Sequence, residues 1–206
     1  MKNKTLDEFT ALTASKDPVL GGGGVSALAA SLAASLSEMV TNLTIGKKRY
    51  QEYEAELQEI REETEALRLE LLECIRKDAE AFKPLSEVYG EDRNAEGHEE
   101  RMEECLRRAA TSPFAILKLC TRIIEIDERL AIIGSKLSVS DAATGVMLGH
   151  GVLYGAAINV LVNTRLMKDR DYADKLDKET EELVREYSAR ALKTYDDIKK
   201  RLTDNG

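Results

Sequence analysis

The sequence predicts an all-α fold: a single-domain helical bundle over residues 1–206, with one long helix and one central buried helix rich in small residues. Three observations support this prediction. Apolar residues recur every three or four positions along most of the chain, which is the period of an α-helix. Only three residues are proline, which leaves room for long helices. Aromatic residues make up 5% of the chain and tryptophan is absent, so Leu, Ala and Ile must build the core.

The first two predicted helices are separated by a run of four glycines. Thr5 and Glu8 have the spacing of a capping box, and the short helix that they open should stop at Asp17-Pro18. The run from Gly21 to Gly24 is expected to form a loop, because glycine loses much conformational entropy in a packed helix. Helical periodicity restarts after the run, in a segment of Leu, Ala and Ser that ends at Gly46.

The longest periodic run extends from about Tyr50 to Phe82. Its apolar residues step by four and three, as in a coiled-coil seam, and Glu and Arg cover the outside. Continuing the seam past Cys74 reaches Asp78, a carboxylate where an apolar residue is expected. Either Asp78 is partly buried, which requires a partner or a function, or the seam ends early and Asp78 is solvated.

Prolines divide the middle of the chain. Pro84 is expected to end the long helix, and residues 86–98 to form a loop or a broken helix. The next helix covers about residues 99–110. Ser112-Pro113 is then either the start of another helix or a kink within one. The last helix covers about residues 172–202.

Residues 142–164 contain no Asp, Glu, Lys or Arg. This segment is long enough to span a bilayer, which requires about 20 residues. Its glycines, histidine and two asparagines would make a poor surface against lipid, however. We therefore expect a central helix that is fully buried in protein, and no membrane association. Ser138 and Asp141, ahead of the segment, have the spacing of a second capping box.

Charge and cysteine content argue against several functions. The formal net charge is −8, whereas binding nucleic acid requires a basic face. The cysteines Cys74, Cys105 and Cys120 are far apart and odd in number, which is typical of free thiols in a reducing compartment. No basic segment leads into an apolar one, as in a secretory signal. We expect a cytoplasmic protein without a metal site.

Polar residues at three further places are candidates for ligand binding. The glycine run leads into a helix N-terminus, where free N–H groups favour an anion or a polar ligand, although a flexible linker fits equally well. Lys47 and Lys48 belong to the densest basic cluster, which either holds ligand carboxylates or complements a helix end. Asn159 and Asn163 lie four apart on one helix face, and buried amides need partners on a neighbouring helix or a ligand.

Five stretches together resemble the formimidoyltetrahydrofolate cyclodeaminase/methenyltetrahydrofolate cyclohydrolase family. They occur in the family's order and span nearly the whole chain: residues 21–28, 39–50, 78–82, 140–142 and 155–163. The family loop usually reads Pro-Gly-Gly-Gly-Ser. This chain has Leu20 in place of the Pro and Gly24 in place of the Ser, and Ser26 is a candidate replacement for the hydroxyl.

The resemblance implies an all-helical cytosolic homodimer that acts, without metal or added cofactor, on tetrahydrofolate carrying one carbon between N5 and N10. Asp78 and Asp141 are then the candidate catalytic carboxylates. The candidate substrate-binding residues are Gly21, Gly22, Gly23, Gly24, Ser26, Lys47, Lys48, Asn159 and Asn163.

The expected reaction is hydrolysis of 5,10-methenyltetrahydrofolate to 10-formyltetrahydrofolate. We favour this reaction because the chain carries no transferase domain that would hand over a formimino group. Two alternatives stay open. One is a formimidoyltetrahydrofolate cyclodeaminase that releases ammonia, and the other is a catalytically impaired protein that binds folate or serves in assembly.

Overall fold

The structure, a computed structural model, describes residues 4–16 and 20–204. Over these residues it contains helices and no strand, which confirms the all-α prediction. The helices are α1 (Leu6–Thr13), α2 (Gly22–Asn42), α3 (Glu54–Tyr89), α4 (His98–Ile133), α5 (Val139–Thr164) and α6 (Arg170–Asp204), with a 3-10 helix (Lys48–Tyr53) before α3.

Helix α4 packs against all four other long helices, which form an arc around it in the order α3, α2, α5 and α6. Helices α2 and α5 are antiparallel neighbours. Gly22 at the start of α2 lies against Asn159 near the end of α5, and Ala33 lies against Gly145 near its beginning. Small residues at these contacts let the two helices approach closely.

The seam predicted along α3 is confirmed. Its residues Leu57, Ile60, Thr64, Leu67, Leu71 and Cys74 are buried, and the next position, Asp78, is half-buried. The prediction that Pro84 ends this helix is wrong, since α3 continues to Tyr89. Pro84 removes only one helical hydrogen bond, and the buried side chains of Leu85 and Val88 hold the following turn in place.

The connection between α3 and α4 is shorter than predicted. It covers residues 90–97, and α4 begins at His98 after Gly97, whose φ of 71° suits a glycine. Ser112-Pro113 does not start a new helix. It lies within α4, so the alternative of a proline inside one helix is correct.

The N-terminal helix begins as predicted. Thr5 and Glu8 form a capping box, in which the Glu8 N–H donates to Thr5 Oγ1 at 3.2 Å and the Thr5 N–H to Glu8 Oε2 at 2.7 Å. The predicted stop at Asp17-Pro18 lies outside the described residues. The second predicted capping box is wrong, because the Ser138 hydroxyl donates to the carbonyl of Ser135 instead of accepting from Asp141.

The glycine run is not a loop. Gly21 is the N-cap of α2, and the other three glycines form its first turn. The entropy argument fails here because neighbouring side chains occupy the space that Cβ atoms would need, as described below.

Helix α5 packs against α2, α4 and α6, as a central helix should. The expectation that it is fully buried is wrong within one chain. Tyr154, Ile158 and Val162 are 52%, 61% and 43% exposed, because none of the described helices covers the side facing away from α4. We call this side, together with the exposed residues Val25, Leu32, Met39 and Leu43 of α2, the outer face. Both helices are long and apolar enough to cross a membrane, by length and composition alone.

Candidate active site

A cavity of about 160 Å³ lies between the first turn of α2 and the facing sides of α3, α4 and α5. It brings together six of the predicted site residues, which come from three separate parts of the sequence. Its lining residues are Gly21, Gly22, Gly23, Asp78, Phe82, Ala109, Pro113, Asn159, Val162 and Asn163. A larger groove of about 810 Å³ lies between α5 and α6, but none of the predicted site residues line it.

The glycines of α2 are needed because other side chains lie against the helix start. A Cβ atom at Gly23 would overlap both carboxylate oxygens of Asp78, and one at Gly22 would lie 2.8 Å from Nδ2 of Asn159. At Gly21 a Cβ would meet nothing within 4 Å. The glycine run therefore allows α2 to approach α3 and α5 closely, and at Gly22 and Gly23 the space that a Cβ would need is taken by polar site residues.

Among the described residues, Asp78 is the only charged one that lines the cavity. The N–H of Gly24, which α2 itself leaves unpaired, donates to the Asp78 carboxylate. Burial raises the pKa of the Asp78 carboxyl above its ordinary value, and the Ser112 hydroxyl and the Gly24 N–H offset part of this rise. The half-buried interpretation of Asp78 is thus correct, and the carboxylate is held against the positive end of a helix.

Ser112 is a site residue that the sequence analysis did not select. Its buried Oγ has no hydrogen bond of regular geometry, yet it lies close enough to Asp78 to influence that pKa. The signal in the sequence was Ser-Pro within a helical pattern, which suggested a helix start or a kink and no ligand.

Asn159 and Asn163 form one wall of the cavity. Asn159 Nδ2 donates to the Gly155 carbonyl at 2.6 Å, and Asn163 Nδ2 donates to the Asn159 carbonyl at 2.8 Å. Each amide is therefore anchored to its own helix through its nitrogen, which leaves its oxygen to accept from a ligand. With Asp78, these oxygens make a cavity rich in acceptors, which suits a cation or a ring that carries N–H groups.

The two departures from the usual family loop fit one another. Leu20 is 5% exposed, and a Cβ at Gly24 would lie 2.9 Å from Leu20 Cδ1. The Leu20 side chain thus fills the space beside Gly24. Ser26 does not replace the lost hydroxyl at the cavity, since its Oγ lies against Gly155 outside the lining.

The remaining predicted site residues lie at the other end of the α2–α5 pair. Lys47 Nζ donates to Ser135 Oγ at 3.1 Å, in the connection between α4 and α5. Asp141 is in the first turn of α5, 18 residues before Asn159, which corresponds to about 27 Å of helix. We call this end, with Lys47, Lys48, Arg49 and Lys136, the basic end, and the other the cavity end.

Among residues 4–16 and 20–204, no group of three or more His, Cys, Asp or Glu side chains is arranged to hold a metal ion. The three cysteines are free thiols, two of them buried. The cavity itself offers one carboxylate and two amides, so its own groups suit proton transfer and hydrogen bonding.

The sequence profile described as Formiminotransferase-cyclodeaminase matches residues 5–182. The chain belongs to this family, as the resemblance predicted. It is 35% identical to a methenyltetrahydrofolate cyclohydrolase of Methylorubrum extorquens, over 97% of this chain and 98% of the relative. It is 25% identical to the formimidoyltransferase-cyclodeaminase of Mus musculus over 83% of this chain, but that match covers only 32% of the mouse protein.

The fold of the family is also recognisable in a solved structure. The crystal structure of a formiminotetrahydrofolate cyclodeaminase from Thermotoga maritima superposes with a TM-score of 0.84 at 30% sequence identity, over 98% of both chains. The chain therefore matches a cyclohydrolase and a cyclodeaminase over nearly the full length of each.

Proposed function

We propose that the chain hydrolyses 5,10-methenyltetrahydrofolate to 10-formyltetrahydrofolate, with Asp78 as the general base. The observation that carries this proposal is a half-buried carboxylate on the wall of a cavity to which residues 4–16 and 20–204 contribute no other charged group. The methenyl bridge of the substrate is a cationic amidinium, so such a carboxylate attracts it by charge. The 35% identity to a cyclohydrolase, against 30% to the cyclodeaminase of known structure, supports the choice of reaction.

The chemistry needs one group that moves protons. Asp78 takes a proton from water as the water oxygen adds to the bridge carbon, which gives a neutral carbinolamine. The bond from that carbon to N5 then breaks, and the protonated Asp78 returns its proton to N5. The hydroxyl proton is released to solvent, leaving the formyl group on N10. Burial suits Asp78 to the first step, because a raised pKa makes the carboxylate a stronger base.

The other cavity residues orient the substrate. The acceptor oxygens of Asn159 and Asn163 suit the N–H groups of the pterin ring. The N–H groups of Gly22 and Gly23, in the first turn of α2, suit a carbonyl oxygen or the attacking water. The proposed reaction needs no cofactor beyond the folate itself.

Cyclodeamination is the second candidate. In that reaction N10 attacks the formimino carbon and ammonia leaves, so a carboxylate beside the same carbon is again needed. The observation that favours it is the similarity of the whole fold to the Thermotoga maritima cyclodeaminase.

We further propose that the protein is a cytoplasmic homodimer whose outer face packs against a second copy. The exposed side of α2 and α5 is apolar and uncharged, as in obligate dimers, which bury over about 2,000 Å² in total. Lipid is a poor alternative partner, because α3, α4 and α6 pack alongside and carry charged residues over their whole length. Light scattering without detergent should give the mass of two chains at micromolar concentration, and a monomeric mass would contradict the dimer.

The function is tested by offering both substrates to the purified protein. Loss of the methenyl absorbance indicates hydrolysis, and ammonia released from formimidoyltetrahydrofolate indicates cyclodeamination. Asp78→Asn serves as the control, since it keeps the side-chain size while removing the base. Binding of folate without either turnover would identify the impaired alternative and contradict the proposal.

A further inference from the structure

The cavity of one chain is incomplete as a folate site in two respects. Its volume of about 160 Å³ is below the roughly 300–1,000 Å³ typical of pockets that enclose drug-sized ligands. No Lys or Arg of the described part of the chain lines it either, although a folate ends in glutamate carboxylates. One end of the substrate must therefore extend beyond the cavity, towards a cation that the cavity does not supply.

The cavity borders the outer face. Val162 lines the cavity and is also 43% exposed on that face, and Gly21 and Gly22 are exposed beside it. A second copy bound to the outer face would therefore lie over the cavity mouth and add to its wall.

We infer that the partner subunit's Lys47 and Lys48 complete this site by binding the carboxylates of the substrate tail. The inference rests on the proposed function for its ligand. The partner on the outer face is a second copy of this chain, and in the resulting dimer the basic end of each subunit covers the cavity end of the other.

The register of the outer face places these lysines at the cavity. The exposed apolar residues of α2 run from Val25 to Leu43, so their centre is residue 34. A twofold axis that crosses the helices there makes the two copies of α2 antiparallel. Gly22 lies twelve positions before this centre, and α2 ends at Asn42, eight positions after it, where the turn of residues 43–46 leads on to Lys47. In the antiparallel pair the partner subunit's Lys47 therefore comes near the start of α2.

The other symmetric arrangement has the axis parallel to the helices, so that like ends meet. It would bring together two copies of the basic end, whose residues Lys47, Lys48, Arg49 and Lys136 are all exposed. Like charges repel, and each cavity would still lack a cation. Within one chain these lysines cannot serve their own cavity, because the 21 residues of α2 separate them from it by about 30 Å.

A heterodimer tests the shared site. One subunit carries Asp78→Asn and the other Lys47→Ala with Lys48→Ala, and two different affinity tags isolate the mixed dimer. In the homodimer, the double lysine change should raise the KM for a polyglutamated substrate about three- to tenfold, and less at high salt. Lys175→Ala with Lys178→Ala, on exposed positions of α6, is the control for lost charge.

If the site is shared, the mixed dimer has one intact site, with the wild-type KM and half of the wild-type kcat. If each chain instead binds the tail with its own lysines, the subunit that keeps Asp78 has lost Lys47 and Lys48. The KM of the mixed dimer then stays raised. That result would overturn the inference while leaving the proposed function intact, because the wild-type dimer is measured in parallel.

A cross-link tests the geometry without any turnover. Gly21→Cys is placed in one chain and Lys48→Cys in the other, at positions with room for a side chain, after the partly exposed Cys105 is changed to Ser. A short bismaleimide should join the chains of the mixed dimer and fail with either homodimer. Cross-linking within the homodimers would show that like ends meet. No cross-linking in any dimer would show that the cavity end and the basic end of the two subunits lie apart. Either result overturns the inference, even if the wild type proves inactive.

Discussion

Two carboxylates of the described residues, the half-buried Asp78 and the fully buried Asp127, resemble one another closely. Asp78 lies at the cavity end, and Asp127 lies in the core between α2, α4 and α5. Burial raises the pKa of both, and in each case a serine hydroxyl offsets part of the effect. Each also lies against a glycine that has no room for a Cβ: Gly23 beside Asp78, and Gly145 beside Asp127.

The two carboxylates differ in their hydrogen-bond partners and in whether a ligand can reach them. Asp127 is 0% exposed, its Oδ1 accepts from Ser37 Oγ at 2.7 Å, and its Oδ2 has no partner among the described residues. It lines none of the cavities described above. Asp78 lines the cavity and receives the N–H of Gly24 at the start of α2. The perturbed pKa is common to both, so access to a ligand is what distinguishes a catalytic carboxylate from a buried one.

The largest predicted difference between the two carboxylates is the effect of their replacement on turnover. Asp78→Asn should lower the rate by about 10²–10⁴, the usual effect of removing a general base, while Asp127→Asn should leave the rate nearly unchanged. Single-turnover decay of methenyltetrahydrofolate measures both. A thermal melt accompanies each variant, because loss of rate together with loss of fold would establish only a structural role for Asp78 as a cap of α2.

The glycines should show the same contrast less strongly. Gly23→Ala would displace the Asp78 carboxylate, and misplacing a catalytic group by about 1 Å can cost roughly 10² in rate. Gly145→Ala would instead crowd the core beside Asp127 and destabilise the fold by about 1–3 kcal/mol, with normal turnover of the folded fraction.

Gly21→Ala is the matched control, since a methyl group there meets nothing. Kinetics and denaturant titration of the three variants give the comparison. Equal rates for Gly21→Ala and Gly23→Ala would show that the position of Asp78 is not critical.

The sequence predicted Asp78 but not Asp127, and the reason is instructive. Asp78 interrupts a regular seam, so its burial could be inferred from spacing along one helix. Asp127 lies among charged residues, between Glu125 and Glu128. Its burial depends on the packing of α2 and α5 against α4, which a local pattern does not contain. Ser112 was missed for the same reason, because its neighbour Asp78 belongs to another helix.

The fold could be predicted further than the site. Helical periodicity predicts every long helix. At Pro84 and the glycine run, tertiary packing overrides the local preference, and the exposed side of α5 and the missing capping box at Ser138 also depend on contacts that a local pattern does not contain. The site residues were grouped by resemblance alone, and the structure divides them between the two ends of α2. No one-dimensional pattern indicates that Lys47 and Asp78 lie at opposite ends of the pair.

Asp127 should also control how stability depends on pH. Its folded pKa lies well above its unfolded value, so between the two values the folded state holds a proton that the unfolded state has lost. Stability is therefore highest below the unfolded pKa and falls as pH rises towards the folded pKa, by up to about 1.4 kcal/mol per pH unit for one proton. Denaturant titration at several pH values should show this slope, and Asp127→Asn should flatten it; an unchanged slope would assign it to other groups.

The smallest predicted effect concerns the Ser112 hydroxyl, which lies beside Asp78 as the Ser37 hydroxyl lies beside Asp127. It lowers the pKa of Asp78, so Ser112→Ala should raise that pKa and move the acid limb of the pH–rate profile to higher pH. Turnover on the acid side should fall by at most roughly tenfold, the upper limit set by one well-formed hydrogen bond, and the plateau at higher pH should not change. Thr111→Ala is the control, because the Thr111 hydroxyl bonds only to the Arg107 carbonyl of its own helix. A lower plateau with an unmoved acid limb would mean that Ser112 positions Asp78 and does not tune its charge.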